Sequence, residues 1–174
     1  MNPEARVAYG DFEPVAVVHA SDIINKLDTT TVTITRADIR DPDSVLSAPG
    51  VAGLLDFTRP VALLTVAILH FVDGDIGALH RRYRSVLVPG SAVAVSHLVS
   101  DHDDPHVAPQ VVRAAEVTAR SATPITLRRR AEVQALVAGL ELAEPGVVDV
   151  RDWPTPQPQH RGLGSYGGAA HIPR

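Results

Sequence analysis

The chain of 174 residues contains no cysteine. This excludes disulfide frameworks, thiolate zinc sites and a cysteine nucleophile, and leaves any metal to histidine and carboxylate ligands. Lysine occurs once, at Lys26, so nearly all positive charge is arginine; that reflects the codon preference of GC-rich DNA rather than a mechanism. No apolar run approaches the ~20 residues of a membrane helix. The segment "MNPEARVAYGDFEP" has neither a basic nor an apolar leader region, so the expectation is a cytoplasmic protein. A nucleophile elbow of the G-x-S-x-G kind and a Walker A loop are both missing. The glycine spacing in "GLGSYGG" does not follow a strand and open a helix. Nothing therefore supports a serine hydrolase, an NTPase or an NAD enzyme. A net charge of -4 with a pI near 6.0 leaves no electrostatic footprint for nucleic acid. The three arginines Arg128, Arg129 and Arg130 read as a solvated helix start.

What is present is the composition of a globular domain, 45% hydrophobic and 21% charged, read as one domain over residues 1–174. "ARVAYGD" is a short apolar run ending in Asp11 and suits a buried strand. Glu13 and Pro14 open a helix whose core face is supplied by Val17, Val18, Ala20, Ile23 and Ile24. β-Branched residues then predict a second strand up to Ile34 that gives out around Ala37, Asp38 and Ile39. Asp41 and Pro42 open a short helix that Pro49 and Gly50 close.

The stretch from Pro60 to about His70 is apolar on both faces and predicts a long central strand of a parallel sheet. A helix after "DGD" carries Ile76, Leu79, Tyr83, Val86 and Leu87 at helical spacing, and "SAVAVSHL" is the fourth strand. A helix over Val107 to Ser121 follows. Thr126 is expected as the N-cap of the next helix, with Val133, Leu136, Val137 and Leu140 facing the core and a strand after it. A Pro-rich loop then leads to a last strand, Ser165 to Ile172. Strands alternating with helices imply an α/β layer fold with right-handed crossovers, in which ligands sit beyond the carboxyl ends of the strands. That rule points at Asp11, Asp38, His70 and His97.

A carboxylate at Asp11 can accept two hydrogen bonds from the vicinal hydroxyls of a ribose; its alternative role is to cap the following helix. Asp38 can accept from an adenine amino group while Ile39 covers a ring face, or it can serve only the turn in "ADIRDP". His70 and His97, at neighbouring strand ends, titrate in a range useful for a base, and could equally be polar caps on strand termini.

The ordered segments "ARVAYGDFEPVAVVHA", "TRADIRDPDSVL", "RPVALLTVAILHFV", "PGSAVAVSHL", "TPITLRRRAEVQALVAGLELAEPGVV" and "YGGAA" resemble the actinobacterial S-adenosyl methyltransferase family, formerly carried as a domain of unknown function. The resemblance covers almost the whole chain. It implies a class I, Rossmann-like α/β sheet, mostly parallel with an antiparallel last strand, and S-adenosyl-L-methionine as methyl donor. The family leaves the methyl acceptor open; a small-molecule acceptor is expected, with neither nucleic acid nor membrane as partner. By this resemblance Asp11 matches the ribose-holding acid, Asp38 and Ile39 the adenine-contacting pair, and Ala67 to His70 the segment lining the donor and acceptor side.

Two departures qualify it. The family writes a strand and a glycine-rich turn before the segment matching "ARVAYGD", and neither is present here, so an N-terminally truncated member with a gap in its sheet is expected. Phe12 stands where the family commonly has a small polar residue; its ring could stack on adenine or fill the gap.

Two other readings stay open. "SHLVSDHDDPH" gathers His97, Asp101, His102, Asp103, Asp104 and His106, possible ligands of a metal-dependent hydrolase. Alternatively the chain is a non-catalytic fragment or pseudo-enzyme that self-associates to cover an open sheet, a possible homo-oligomer.

Overall fold

The computed structural model describes residues 4–156 and 164–174 and divides the chain into two compact units, 1–59 and 60–174. The Pro-rich loop of the tail falls partly on 157–163, outside the described residues.

In the first unit β1 (Val7–Asp11) and β2 (Val32–Arg36) pair in parallel, Val7 opposite Val32 and Asp11 opposite Arg36. The helix α1 (Pro14–Lys26) makes the crossover. It starts where the sequence says: the Glu13 carboxylate accepts from the Val15 N–H, Pro14 occupies the first turn, and Lys26 complements the negative end of the helix dipole. Its core face is narrower than the apolar positions suggest. Val17, Ala20 and Ile24 are half-buried, whereas Val18 and Ile23 lie about 60% exposed.

Asp41 caps α2 (Pro42–Ser47). Pro49 and Gly50, expected to end a helix, instead begin a second one, α3 (Pro49–Ala52). That helix packs on β2 through Gly50, where a Cβ would fall 2.4 Å from Thr35 Oγ1, and the Gly50 carbonyl accepts from Thr33 Oγ1. Ala48 and Val51 are the buried residues here.

The second unit holds a five-stranded sheet: β3 (Ala62–Thr65), β4 (Ala92–Leu98), β7 (Ser165–His171) and β5 (Glu141–Leu142) in that order, with β6 (Val148–Asp149) also paired to β7. β3 and β4 are parallel, and β7 runs antiparallel to β4. Among the described residues the ladder of β1 and β2 and the ladder of β3 and β4 belong to separate sheets.

The long central strand is corrected. β3 ends at Thr65, Leu64 and Val66 are exposed, and His70 sits on a 3-10 turn, Leu69–Phe71. Ala67 breaks the run, because its φ of +55° lies in the left-handed region that non-glycine residues rarely adopt.

The core forms where β4 alternates with period two: Val93, Val95 and Val99 are buried, as are Leu136 and Val137, and Val99 packs with Val133 and Tyr166. α4 (Ile76–Arg84) starts on Asp75, whose side chain accepts from the Ala78 N–H. α5 (Ala108–Thr118) lies inside its expected range. α6 (Arg130–Ala135) begins three residues later than expected; its N-cap is Arg129, whose N–H donates to the Glu132 carboxylate. Thr126 is no cap, and its hydroxyl donates to Asp73.

Candidate functional site

In the first unit both expected acids stand beyond strand ends. The Asp11 carboxylate accepts from the Glu13 N–H at 2.9 Å through Oδ1, and Oδ2 has no partner among the described residues. Asp11 therefore serves the turn and retains an acceptor. Beside it the Phe12 ring is 43% exposed. Asp38 is already engaged: Arg40 donates Nε at 2.9 Å and Nη2 at 2.5 Å in a two-pronged pair, and the Arg40 N–H adds a third bond. These bonds hold the Asp38 carboxyl below the usual carboxylate range. Ile39 is half-buried next to it.

In the second unit the Ala67 N–H donates to Ser96 Oγ at 2.9 Å, fixing the left-handed turn that follows β3. Three residues on, His70 is 6% exposed, and its Nδ1 is buried with no hydrogen-bond partner among the described residues. Burial pushes the imidazole down to about 4, with a smaller contribution from His97. The backbone holds the residue, since the His70 carbonyl accepts from the Thr126 N–H at 2.8 Å.

His97 continues the buried face of Val93 and Val95 and is fully enclosed. A polar ring in a core position needs partners: the Leu98 carbonyl and Arg128 lie within hydrogen-bond distance, and the Leu69 carbonyl also acts on the ring. Nδ1 lies 2.7 Å from the Leu98 carbonyl and Nε2 lies 3.1 Å from Arg128 Nη1. A carbonyl only accepts and a guanidinium only donates, so Nδ1 carries the proton and Nε2 is bare. Burial holds His97 below its ordinary range, and the charge of Arg128 works in the same direction.

Arg128 is thus not solvated. It is 7% exposed, and its Nη2 donates to the carbonyls of Val72 at 3.0 Å and Gly74 at 2.9 Å. The three-arginine run concealed this, although Pro124, Ile125 and Thr126 favour an extended approach over a helix start.

The loop after β4 disperses its ligand-like side chains. His102 donates Nε2–H to Asp149 at 2.8 Å and accepts the Asp104 N–H at Nδ1. Asp101 accepts from the Arg130 N–H, and Asp103 from the Tyr166 hydroxyl and Arg130. Asp104 accepts from the His106 N–H. Among the described residues no group of three or more histidines and acids comes together in a way that could hold a metal ion. His102, Asp103, Arg130 and Tyr166 line a cavity of about 310 Å³ that Asp149, Arg151 and Asp152 complete. Asp149 and Tyr166 were invisible in the sequence, because short strands 17 residues apart bring them together.

With this geometry in hand the chain can be compared with known proteins. The family model described as S-adenosyl methyltransferase matches residues 1–173. Among solved structures the chain is similar to a DUF574 family protein from Streptomyces avermitilis, at 36% identity and a TM-score of 0.86, covering 99% of this chain and 67% of that one. It is also similar to a protein from Thermobifida fusca assigned as a methyltransferase, at 28% identity and a TM-score of 0.85, covering 99% and 65%. The chain thus spans about two thirds of the length of these relatives. The N-methyltransferase NodS from Bradyrhizobium japonicum shares the fold at 12% identity and a TM-score of 0.56, over 97% of this chain and 74% of that one. Among curated proteins none matches. The fold is that of class I methyltransferases, and the chain belongs to the S-adenosyl methyltransferase family, whose methyl donor is S-adenosyl-L-methionine.

Proposed function

We propose that this chain forms the donor-binding and proton-accepting part of a methyltransferase acting on a small-molecule acceptor. The observation that carries the reading is the match of the family model along residues 1–173. The donor, when bound, supplies a sulfonium-activated methyl group. The residues fit its nucleoside half. Asp11 keeps one carboxylate oxygen free for a ribose hydroxyl, and Phe12 offers an exposed ring face for adenine. Asp38 reaches an adenine amino group only by sharing or releasing Arg40. That is a modest demand for an exposed pair, worth about 0–1 kcal/mol. Ile39 completes the proposed contacts of the first unit, and Ala67, in the second unit, is proposed as a donor contact from the family resemblance alone.

For the proton, His70 is the better of the two imidazoles. His97 has its lone pair turned onto Arg128, whereas His70 Nδ1 has no partner among the described residues and the ring is neutral at pH 7. His70 accepts the proton of the acceptor's hydroxyl or amine, and His97 supports it. Calorimetric titration of S-adenosylhomocysteine tests the reading: one-site binding is expected, weakened by Asp11→Asn, and the absence of any binding overturns it.

A second reading, a non-catalytic self-associating chain, is favoured by one observation. Val15, Val18 and Ile23 of α1 and Leu64 and Val66 around β3 are all more than half exposed. Light scattering across a concentration series separates the two, since a constant monomer mass argues against association.

A further inference from the structure

We propose that Arg128 is a positioning residue for methyl transfer, fixing His97 in one tautomer and pinning the turn that carries His70. The role in transfer rests on the reading of His70 as the proton acceptor; the hold on His97 does not. One guanidinium joins three acceptors from two places in the chain. Nη1 meets His97 Nε2 on β4, and Nη2 meets the Val72 and Gly74 carbonyls directly after the Leu69–Phe71 turn. The planar fork of arginine suits such bridging, and the single point donor of lysine does not.

The residue is buried yet forms no ion pair with a carboxylate among the described residues. Glu132, Asp73 and Asp75 act on it only through space. Burying an unpaired charge is unfavourable unless its hydrogen bonds are worth the desolvation, so these three acceptors account for its place. Two further bonds reinforce the attachment: Thr126 N–H to the His70 carbonyl, and Thr126 Oγ1 to Asp73 at 2.6 Å. The segment 126–128 therefore grips the His70 turn at its start and its end.

The His97 ring so fixed stands edge-on to His70, 5.7 Å between centroids. The groups facing the pair are Phe71 on the His70 side, Arg128 on the His97 side, and Glu132 through space. A cation at His97 Nε2 prevents protonation there, which keeps a second positive charge away from His70.

The test uses the full chain with Arg128→Met and Arg128→Lys, the second guarding against a failure of the first to fold. Nitrogen-15 NMR of the imidazoles reads the tautomer and titration directly. The wild type is expected to show His97 as the Nδ1–H form through neutral pH. Both variants are expected to lose that single form and, because His97 can then charge beside it, to move the His70 midpoint downward from about 4. An unchanged His97 spectrum and an unchanged His70 titration in both variants overturn the proposal. In the transfer reaction Arg128→Lys is expected to lower kcat ~10- to 100-fold with little change in donor KM, the scale of a small misplacement; an unaltered kcat overturns the role in transfer. Full activity of His70→Gln alongside the expected NMR changes would identify the base reading, and not the Arg128 contact, as the failure.

Discussion

His70 and His97 meet edge to face, their ring planes at 86°, one on a 3-10 turn after β3 and the other buried in β4. Register explains the meeting: β3 and β4 are parallel neighbours with Thr65 opposite Val95, so chain leaving both strands emerges at the same end. The two rings differ in what they can do. His97 is saturated by Leu98 and Arg128, and His70 holds an unclaimed nitrogen.

Acid should weaken the fold over a defined window. His70 and His80 each fall to about 4 in the folded chain from 6.5. Between those values the unfolded chain binds more protons, so stability rises with pH across the window. It is fully present above 6.5 and lost as pH falls toward 4. Urea midpoints measured from pH 7 to pH 4 should decline steadily, and a flat profile would remove this account.

His80 gives the window a separable handle. It is 1% exposed, neither ring nitrogen has a hydrogen-bond partner of good geometry among the described residues, and the Leu136 carbonyl offsets only part of the burial, so its desolvation is poorly compensated. Replacing such a group by an apolar one of similar size is neutral or stabilising. His80→Leu should gain ~1 kcal/mol at pH 5 and flatten the acid slope. A loss of stability at every pH would mean the ring makes contacts that matter more than its hydration.

Asp11 bears on binding rather than folding. Its Oδ2 is the free acceptor, and charged hydrogen bonds contribute roughly 1.5–3 kcal/mol. Asp11→Asn should therefore weaken S-adenosylhomocysteine binding ~10- to 100-fold, while the melting temperature changes little because Asn can still accept from Glu13. Equal affinities in calorimetry would take the ribose contact away from Asp11.

Much of this architecture could be read along the chain, because its signals are local. Glu13 with Pro14, Asp41 with Pro42, and Asp75 each place a helix start through one side chain and the next few N–H groups. β2 and β4 declare themselves by β-branched or alternating residues. The apolar run before His70 misleads, since hydrophobicity alone does not separate a strand from a tight turn, and Ala67 carries no mark of its left-handed backbone. Arg128 misleads for the opposite reason. Its burial depends on acceptors more than 30 residues upstream, and nothing beside it in the sequence distinguishes it from Arg129, which is exposed.

The buried pair of His102 and Asp149 should anchor the loop after β4. Asp149 is 5% exposed and accepts from His102 Nε2 and from Arg151 Nε and N–H. Removing the carboxylate leaves His102 without an acceptor and a partly buried guanidinium without its main counter-charge. Breaking a buried pair from one side typically costs about 3–5 kcal/mol. Arg151 also has Asp104 at 3.7 Å, which offsets part of the loss. Asp149→Ala should thus destabilise the chain by ~2–4 kcal/mol, with amide exchange rising first in the segment 99–107. Asp149→Asn, which retains an acceptor for His102, should cost less. If both substitutions prove equally harmless in thermal denaturation, the loop is held by other contacts and the pair is incidental.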